Sequence, residues 1–371
     1  MKIIYLARRP IPSVNAHSVQ IVKMSEAFGK LGHDVLLLAH RGDEEPERVY
    51  SRYGVEPAFA IDSYPSRSQR LRKVRFCANL IRDSRMRSAD LFFGRDIVSL
   101  ALSALFNKPV VYEAHTLPPG KSLRRNMLDR LFASRNFSHL VCVTSTLAQA
   151  YRTEFASLKD KPIIVVPNGG AESLPVADLA QWPGRPGAVQ VGFIGRPFVG
   201  KGIEVIAEAA SRLPQYDFHV VGATASDVDW YEGTFAPNLH FHGYQPHALL
   251  GAYQRRFDIA VAPYGEQVMN ASDKESAAIT SPLKVLEYMA AGLPAIVSDL
   301  PGVRDILCDD DVVVLVPPGD VNRFVDEVRR LAEDSSLRKR IGAAARRHYL
   351  ERHTLEARAR RVLEPALPRC A

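Results

Sequence analysis

The stretch VQVGFIGRPFVGKGIEVIAEAASRLP, Val189–Pro214, sits midway along a chain of 371 residues. VQVGFI is an apolar run of strand length. GRPFVGKG is rich in glycine, and KGIEVIAEAASRLP carries apolar residues at helical spacing. Strand, glycine loop and helix in that order open a βαβ unit. The loop also reads G-x-x-x-x-G-K, all but the last position of a nucleotide-gripping P-loop. That last position needs a hydroxyl to hold magnesium, and it is Gly202. A P-loop site further needs a later strand ending in Asp, whereas FDIAVAPY (Phe257–Tyr264) has its Asp before the apolar core. Both departures argue against an NTPase. What remains is a turn whose amides and helix dipole favour an anion, with Arg196 and Lys201 as cations. Taken alone, a tight turn with two solvated basic residues fits the loop as well.

Working outward, the same alternation appears on both sides. Downstream run DFHVVG, NLHFHGY, FDIAVAPY, LPAIVS and VVVLVP. Upstream, KIIYLA reads as a buried strand ended by Pro10 and Pro12. The helix SVQIVKMSEAFGKLGH follows, with Ile21, Met24, Phe28 and Leu31 on one face, and then DVLLLAH. ADLFFG, KPVVYEAH, HLVCVT and PIIVVPNGG continue the first series. Alternation of this kind specifies parallel sheets covered on both faces. Between the series, ESLPVADLAQWPGRPG (Glu172–Gly187) is rich in Pro and Gly and reads as a linker. The expected organisation is α/β, with two facing Rossmann-like domains at 1–172 and 188–351 joined by a linker at 173–187. A helical, strongly charged C-terminal segment, about 352–371, returns to the first domain. Ligands of such sheets bind outside the carboxyl ends of the strands, so a ligand between the domains would touch loops of both.

Hydrophobic residues make up 46% of the chain and charged residues 24%, a soluble globular composition. The net charge of +7 fits either a soluble protein of arginine-rich background or attraction to an anionic partner. It concentrates in SRSQRLRKVR (Ser66–Arg75) and GKSLRRNMLDRLFASR (Gly120–Arg135). The four cysteines, Cys77, Cys142, Cys308 and Cys370, lack C-x-x-C spacing and a histidine cluster, which reads as reduced thiols without zinc. MKIIYLARRP is too short and too soon charged for a signal peptide, and no run is long enough to span a membrane. The expected location is therefore cytoplasmic. No recognised nucleic-acid module or aromatic-interleaved basic stripe is present, so nucleic acid is not an expected partner.

A second chemistry-bearing stretch is TSPLKVLEYMAAGLPAIVSD, Thr280–Asp299. Ser281 and Pro282 read as N-cap and first helical residue, with the helix running Pro282–Ala291 before Gly292 and Pro294. Lys284 and Glu287 share a face. A Lys in the first turn opposes the helix dipole, which suggests an anionic ligand there. The alternative is a surface ion pair worth less than about 1 kcal/mol.

Together, GRPFVGKGIEVIAEAA, GYQPHALLGAYQRRFDIAVAPY, SPLKVLEYMAAGLPAIVSDLPGVRDIL and VVVLVPPGD resemble the retaining GT-B glycosyltransferases of family four, the group 1 glycosyl transferases. LGHDV, YEAH, VTSTLAQAY and IIVVPNGG extend the resemblance over nearly the whole chain. The resemblance implies that Arg196 and Lys201 hold the donor diphosphate. Gly195, Gly243, Ser281, Pro282, Leu283, Lys284 and Glu287 line the donor site, with Glu287 on the ribose. It places His115 of YEAH near the transfer point, and Asn15 and His17 on the acceptor side. The family's E-x7-E motif would start at position 279, where this sequence has Ile279, and Asn15–Ala16 replaces the usual Gly-Gly of the first loop.

The reaction so implied is retaining, metal-independent transfer from a UDP- or GDP-sugar. Charge growing on the leaving diphosphate would be met by Arg196, Lys201 and the Ser281 helix N-terminus. Domain closure would expel water and bring His115 to the sugar. No cofactor or metal is expected. The acceptor would be a saccharide, a small molecule or a lipid-linked chain of cell-envelope polysaccharide synthesis. The basic segments would suit an anionic inner-leaflet surface, where each basic residue contributes about 1 kcal/mol. The competing readings are a sugar-nucleotide epimerase of the same architecture and a non-catalytic donor-binding partner protein.

Overall fold

Runs of Ile, Val, Leu and Phe sort the chain into two parallel sheets. The computed structural model describes residues 1–13, 16–41, 48–64, 72–118, 120, 122–170, 172, 179, 181–246, 249–269, 274–276, 281–307 and 312–366. The first sheet holds β1 (Lys2–Ile11), β2 (Asp34–Arg41), β3 (Ala60–Tyr64), β4 (Leu91–Gly94), β5 (Val110–Ala114), β6 (Phe137–Cys142) and β7 (Ile163–Val165). Its spatial order is β3-β2-β1-β4-β5-β6-β7. The second series is β8 (Gln190–Ile194), β9 (Asp217–Val221), β10 (Leu239–Phe241), β11 (Ile259–Ala262), β12 (Gln267–Met269), β13 (Lys274–Ser276), β14 (Ala295–Ser298) and β15 (Val314–Val316). Here the order is β10-β9-β8-β11-β14-β15, with β12 and β13 forming a separate antiparallel hairpin. In both sheets the order reverses beside the first strand of the series, the Rossmann arrangement whose switch point opens a crevice at the carboxyl ends.

The strands are apolar throughout because helices cover both faces. Every residue of β4, β5, β8, β9, β11 and β14 is buried. Helix Ala16–Lys30 turns Ile21, Met24 and Phe28 into the first core, as its periodicity requires, while Leu31 lies just beyond its end and is half-buried. Helix Ile203–Arg212 buries Ile203, Val205 and Ile206 in the second core, each contributing roughly 1.5–3 kcal/mol.

Several local expectations change. β1 does not stop at Pro10. A register shift between Ala7 and Pro10 lets the strand continue to Ile11, because the irregularity absorbs the proline's missing donor. AIDSY forms β3 at the sheet edge, a strand too polar to stand out in the sequence. Helices Val321–Glu333 and Ser335–Arg352 precede the C-terminal segment, in which Leu355–Leu363 is a helix.

The chain divides into two compact units, Met1–Val166 with Leu355–Ala371, and Pro167–Thr354. The expected boundary at 172/173 thus lies a few residues late. The reason is that PNGG packs on the second unit: Asn168 N–H donates to Ser281 Oγ (3.1 Å), and Tyr349 Oη donates to the Gly170 carbonyl (3.1 Å). The stretch read as a linker also packs there in its described part. The Trp182 ring stacks on His219 at 4.2 Å, and Arg185 N–H donates to Asp217 at 2.6 Å. Helix Leu355–Leu363 closes the first unit's core with Ala359, Val362 and Leu363.

Candidate functional site

In the second unit, three glycines end three neighbouring strands. Gly195 follows β8, Gly222 follows β9 and Gly243 lies just beyond β10. Gly195 N–H donates to the Val221 carbonyl (2.7 Å), Gly222 N–H to Gly243 (2.8 Å) and Gly243 N–H to Ala223 (3.0 Å). A Cβ on Gly222 would fall 2.7 Å from the Gly195 carbonyl oxygen, so the strand ends approach more closely than side chains permit. Gly243 is thereby part of the backbone stack that shapes the loop.

The fate of the P-loop resemblance is decided at Gly202. It caps helix Ile203–Arg212 with φ +82°, and a Cβ there would lie 1.9 Å from the Pro263 carbonyl oxygen. Ser or Thr here would strain the left-handed backbone and displace the Pro263 carbonyl, so the turn is not built to present the magnesium hydroxyl of a P-loop.

Two ammonium groups gather beside the loop instead. Lys284 Nζ lies 4.3 Å from the Phe193 ring centre and 5.5 Å from that of Tyr264, and Lys201 Nζ lies 5.1 Å from the same Tyr264 ring. The Lys284 Nζ lies 2.2 Å from where a Gly195 Cβ would be, so the ammonium sits directly against the loop backbone; the φ of +149° is what favours glycine there. Burial, reinforced by Lys201, lowers the Lys284 ammonium to about 7, although Glu287 opposes the shift. Arg196 is exposed, and its charge acts on Asp227. Tyr288 Oη accepts the Ile194 N–H (2.9 Å), fixing the end of β8 to the helix that carries Lys284.

That helix runs Leu283–Ala290, one residue shorter at each end than expected. Pro282, not Ser281, occupies its N-cap, and no side chain caps it. Ser281 Oγ is engaged by Asn168 N–H and Asn168 Nδ2 donates to the Ser281 carbonyl (3.2 Å), which turns the hydroxyl away from capping. Among the described residues no side chain caps the first-turn amides of Leu283 and Lys284, the condition for an anion site.

In the first unit, a cavity of about 280 Å³ opens at the switch point between β1 and β4. His17, Arg95, Glu113 and His115 line it. Glu113 is the hub: Arg95 Nη2 lies 2.6 Å from Oε1, His115 Nε2 2.6 Å from the same oxygen, and Arg358 Nη1 donates to Oε2 at 3.1 Å. Burial alone would raise the Glu113 carboxyl, but Arg358 and Arg95 overcome it and hold the group well below the usual range. Burial and Arg95 lower His115 to about 4 against the pull of Glu113. Burial, Arg95 and His115 lower His17 to about 3. Both imidazoles are neutral near pH 7.

The partner of His115 is a carboxylate, Glu113, and not a backbone carbonyl. Sequence reasoning missed Arg95, Glu113 and Arg358. The E-x-H spacing of YEAH carried a signal, since alternate residues at a strand end share a face. Arg358 carried none. Asn15 and Ile279 lie outside the described residues, as do Cys308, Cys370, Lys121 and most of Ser66–Arg75.

Two Rossmann-like units with polar groups at their strand ends define the GT-B class of glycosyltransferase fold. The chain belongs to that group's family: residues 188–334 match the model of glycosyl transferases group 1, and residues 17–170 match that of glycosyltransferase family 4. The sulfoquinovosyl transferase SQD2 of Arabidopsis thaliana is 30% identical over 169 residues, 44% of this chain and 30% of that protein. The phosphatidyl-myo-inositol mannosyltransferase of Mycolicibacterium smegmatis is 29% identical over 213 residues, 54% of this chain and 51% of that protein. The chain thus spans about a third to a half of the length of the curated relatives it matches. The fold is that of Anabaena Alr3699/HepE in complex with UDP-glucose, with TM-score 0.68, 13% identity and 99% of each chain covered.

Proposed function

We propose that the chain transfers a sugar from a nucleotide-sugar to an acceptor in glycoconjugate or polysaccharide synthesis. The carrying observation is that Lys284, from a helix start that no side chain caps, sets its Nζ against Gly195 and shares the Tyr264 ring with Lys201. A diphosphate would accept from those amides and neutralise both ammonium groups. As the anomeric bond breaks, charge grows on the bridging oxygen, and the same preorganised groups stabilise it in place of a divalent ion. Arg196 would join them from the exposed side of the loop, and Glu287 would accept from the ribose hydroxyls.

The donor is a UDP- or GDP-sugar; the complex of HepE with UDP-glucose supports UDP. The acceptor is a glycan or lipid-linked chain held by the first unit, where neutral His115 donates or accepts at the transferred sugar. The stereochemistry is retaining and the enzyme needs no metal. It works in the cytoplasm, at the inner face of the membrane. Supporting that location, helices Arg72–Arg82 and Leu123–Ala133 expose Val74 (65%) and Leu123 (76%) beside Lys73, Arg75 and Arg124.

The test is a thermal-shift screen of UDP-, GDP-, ADP- and TDP-sugars, followed by transfer assays with and without EDTA and NMR of the product anomer. Stabilisation by one nucleotide-sugar, abolished in Lys201→Ala and weakened in Glu287→Ala, is the expected result. No stabilisation by any of them, or wild-type transfer by both folded variants, refutes the donor site. Equal partitioning onto neutral and anionic vesicles refutes the membrane location.

A further inference from the structure

The cavity of the first unit is more cationic than sugar hydroxyls alone require. Its walls hold Arg8, Arg9, Arg95 and Arg124 against the carboxylates of Asp96 and Glu113. Both carboxylates are already committed. Asp96 accepts from Arg8 Nε (2.9 Å) and Nη2 (3.1 Å), and also from Ser99 N–H and Oγ. Glu113 is shared by Arg95, Arg358 and His115. His17 and His115 add no negative charge. Among the described residues facing this cavity, guanidinium charge therefore exceeds carboxylate charge.

Arg95 makes the site a built one. Its side chain is 6% exposed and lines the cavity, held between the Glu113 carboxylate and the Tyr5 hydroxyl. A guanidinium fixed in such a buried setting is little screened by water, so its charge is felt in the cavity. Arg9 and Arg124 both line this cavity and are exposed, so they can close on a ligand from solvent. Guanidinium forks match the paired oxygens of carboxylate and phosphate. A volume near 280 Å³ has room for one sugar or polyol ring with such a group.

We propose that this cavity binds an acidic sugar or polyol through its carboxylate or phosphate, with Arg9, Arg95 and Arg124 as the specificity-determining residues. Its role as the acceptor site rests on the glycosyltransferase reading above, so that the acceptor is an anionic one. The shared chemistry is an oxyanion on a hydroxylated ring, whether a uronate carboxylate or a phosphate monoester or diester.

Ligand-observed NMR of the full chain at low salt, with glucuronate, glucose 6-phosphate, inositol 1-phosphate and glucose, tests it. The expected result is binding of at least one anion and none of glucose, weakened on the order of tenfold in Arg9→Ala and in Arg124→Ala. Binding of the phosphates alone identifies a phosphorylated acceptor, and binding of glucuronate alone an acidic sugar. Arg95→Lys keeps the buried charge but loses the fork and loosens the Glu113 contact, so it should lower the melting temperature and, where circular dichroism shows it still folded, weaken anion binding. Anion binding no tighter than glucose, or unchanged in Arg9→Ala and Arg124→Ala, overturns the proposal. Nucleotide-sugar binding dependent on Lys201, measured on the same samples, separates the two ideas. If it persists while the anions fail, the anionic acceptor falls and the transferase reading stands; in the reverse case the transferase reading falls.

Discussion

Lys284 should take up a proton when a nucleotide-sugar binds. Its ammonium sits at about 7 in the unliganded protein because burial and Lys201 disfavour the charge. A diphosphate oxygen about 4 Å away contributes about 4 kcal/mol at an effective dielectric of 20. That is about three pKa units, which carries the bound group to about 10. At pH 8 about nine in ten free molecules have neutral Lys284, so binding should draw in about 0.9 proton. Affinity should fall about fivefold from pH 7 to 8 and roughly tenfold more to pH 9. A nucleotide-sugar suits the assay because its diphosphate has no group titrating near neutrality. Calorimetry in two buffers of different ionisation enthalpy reads the proton count directly. Lys284→Arg holds its charge throughout and should abolish the linkage. Intact binding with equal enthalpies in both buffers, and a flat affinity from pH 7 to 9, would refute the reasoning.

Three further outcomes follow from the packing. Gly202→Ser completes the P-loop pattern, yet it should cost about 2 kcal/mol or more, because the left-handed backbone and the Pro263 carbonyl both reject a side chain. Calorimetric melting shows the loss, and magnesium-dependent ATP hydrolysis should not appear. Glu113→Gln strands Arg95 and Arg358 and should cost roughly 3–5 kcal/mol in urea unfolding. Burial lowers His115, His139 and His242 to about 4 each, while the unfolded chain protonates near 6.5. Between those values the unfolded state binds more protons, so stability should drop as pH falls from about 6.5 to 4. A melting temperature constant over that window counts against the buried neutral state.

Much of the fold was legible because parallel strands covered on both faces must be apolar throughout. DVLLLAH, VQVGFI and FDIAVAPY announce themselves by composition alone. AIDSY did not, since an edge strand tolerates polar residues. In the second unit, glycine and lysine positions were visible because GRPFVGKG and SPLK are contiguous. Their geometry was not: the sequence read Ser281 as a cap, and only the distant Asn168 shows why its hydroxyl is used elsewhere. The first unit's cluster was less legible still. Arg95, Glu113 and Arg358 come from three separate stretches, and neither periodicity nor local spacing links Arg358 to Glu113 across 245 positions.

That long link has a consequence for synthesis. β1 through β7 leave the ribosome first, yet Ala359, Val362 and Leu363 of their core and one of the guanidiniums on Glu113 are translated after the whole of Pro167–Thr354. Domains generally fold as units while the chain is being made. Here the half that starts first must finish last, waiting half-built while its neighbour matures. A chain halted near residue 354 would hold an entire second unit and a first one with an open seam, its Glu113 left with Arg95 as the one guanidinium of the pair.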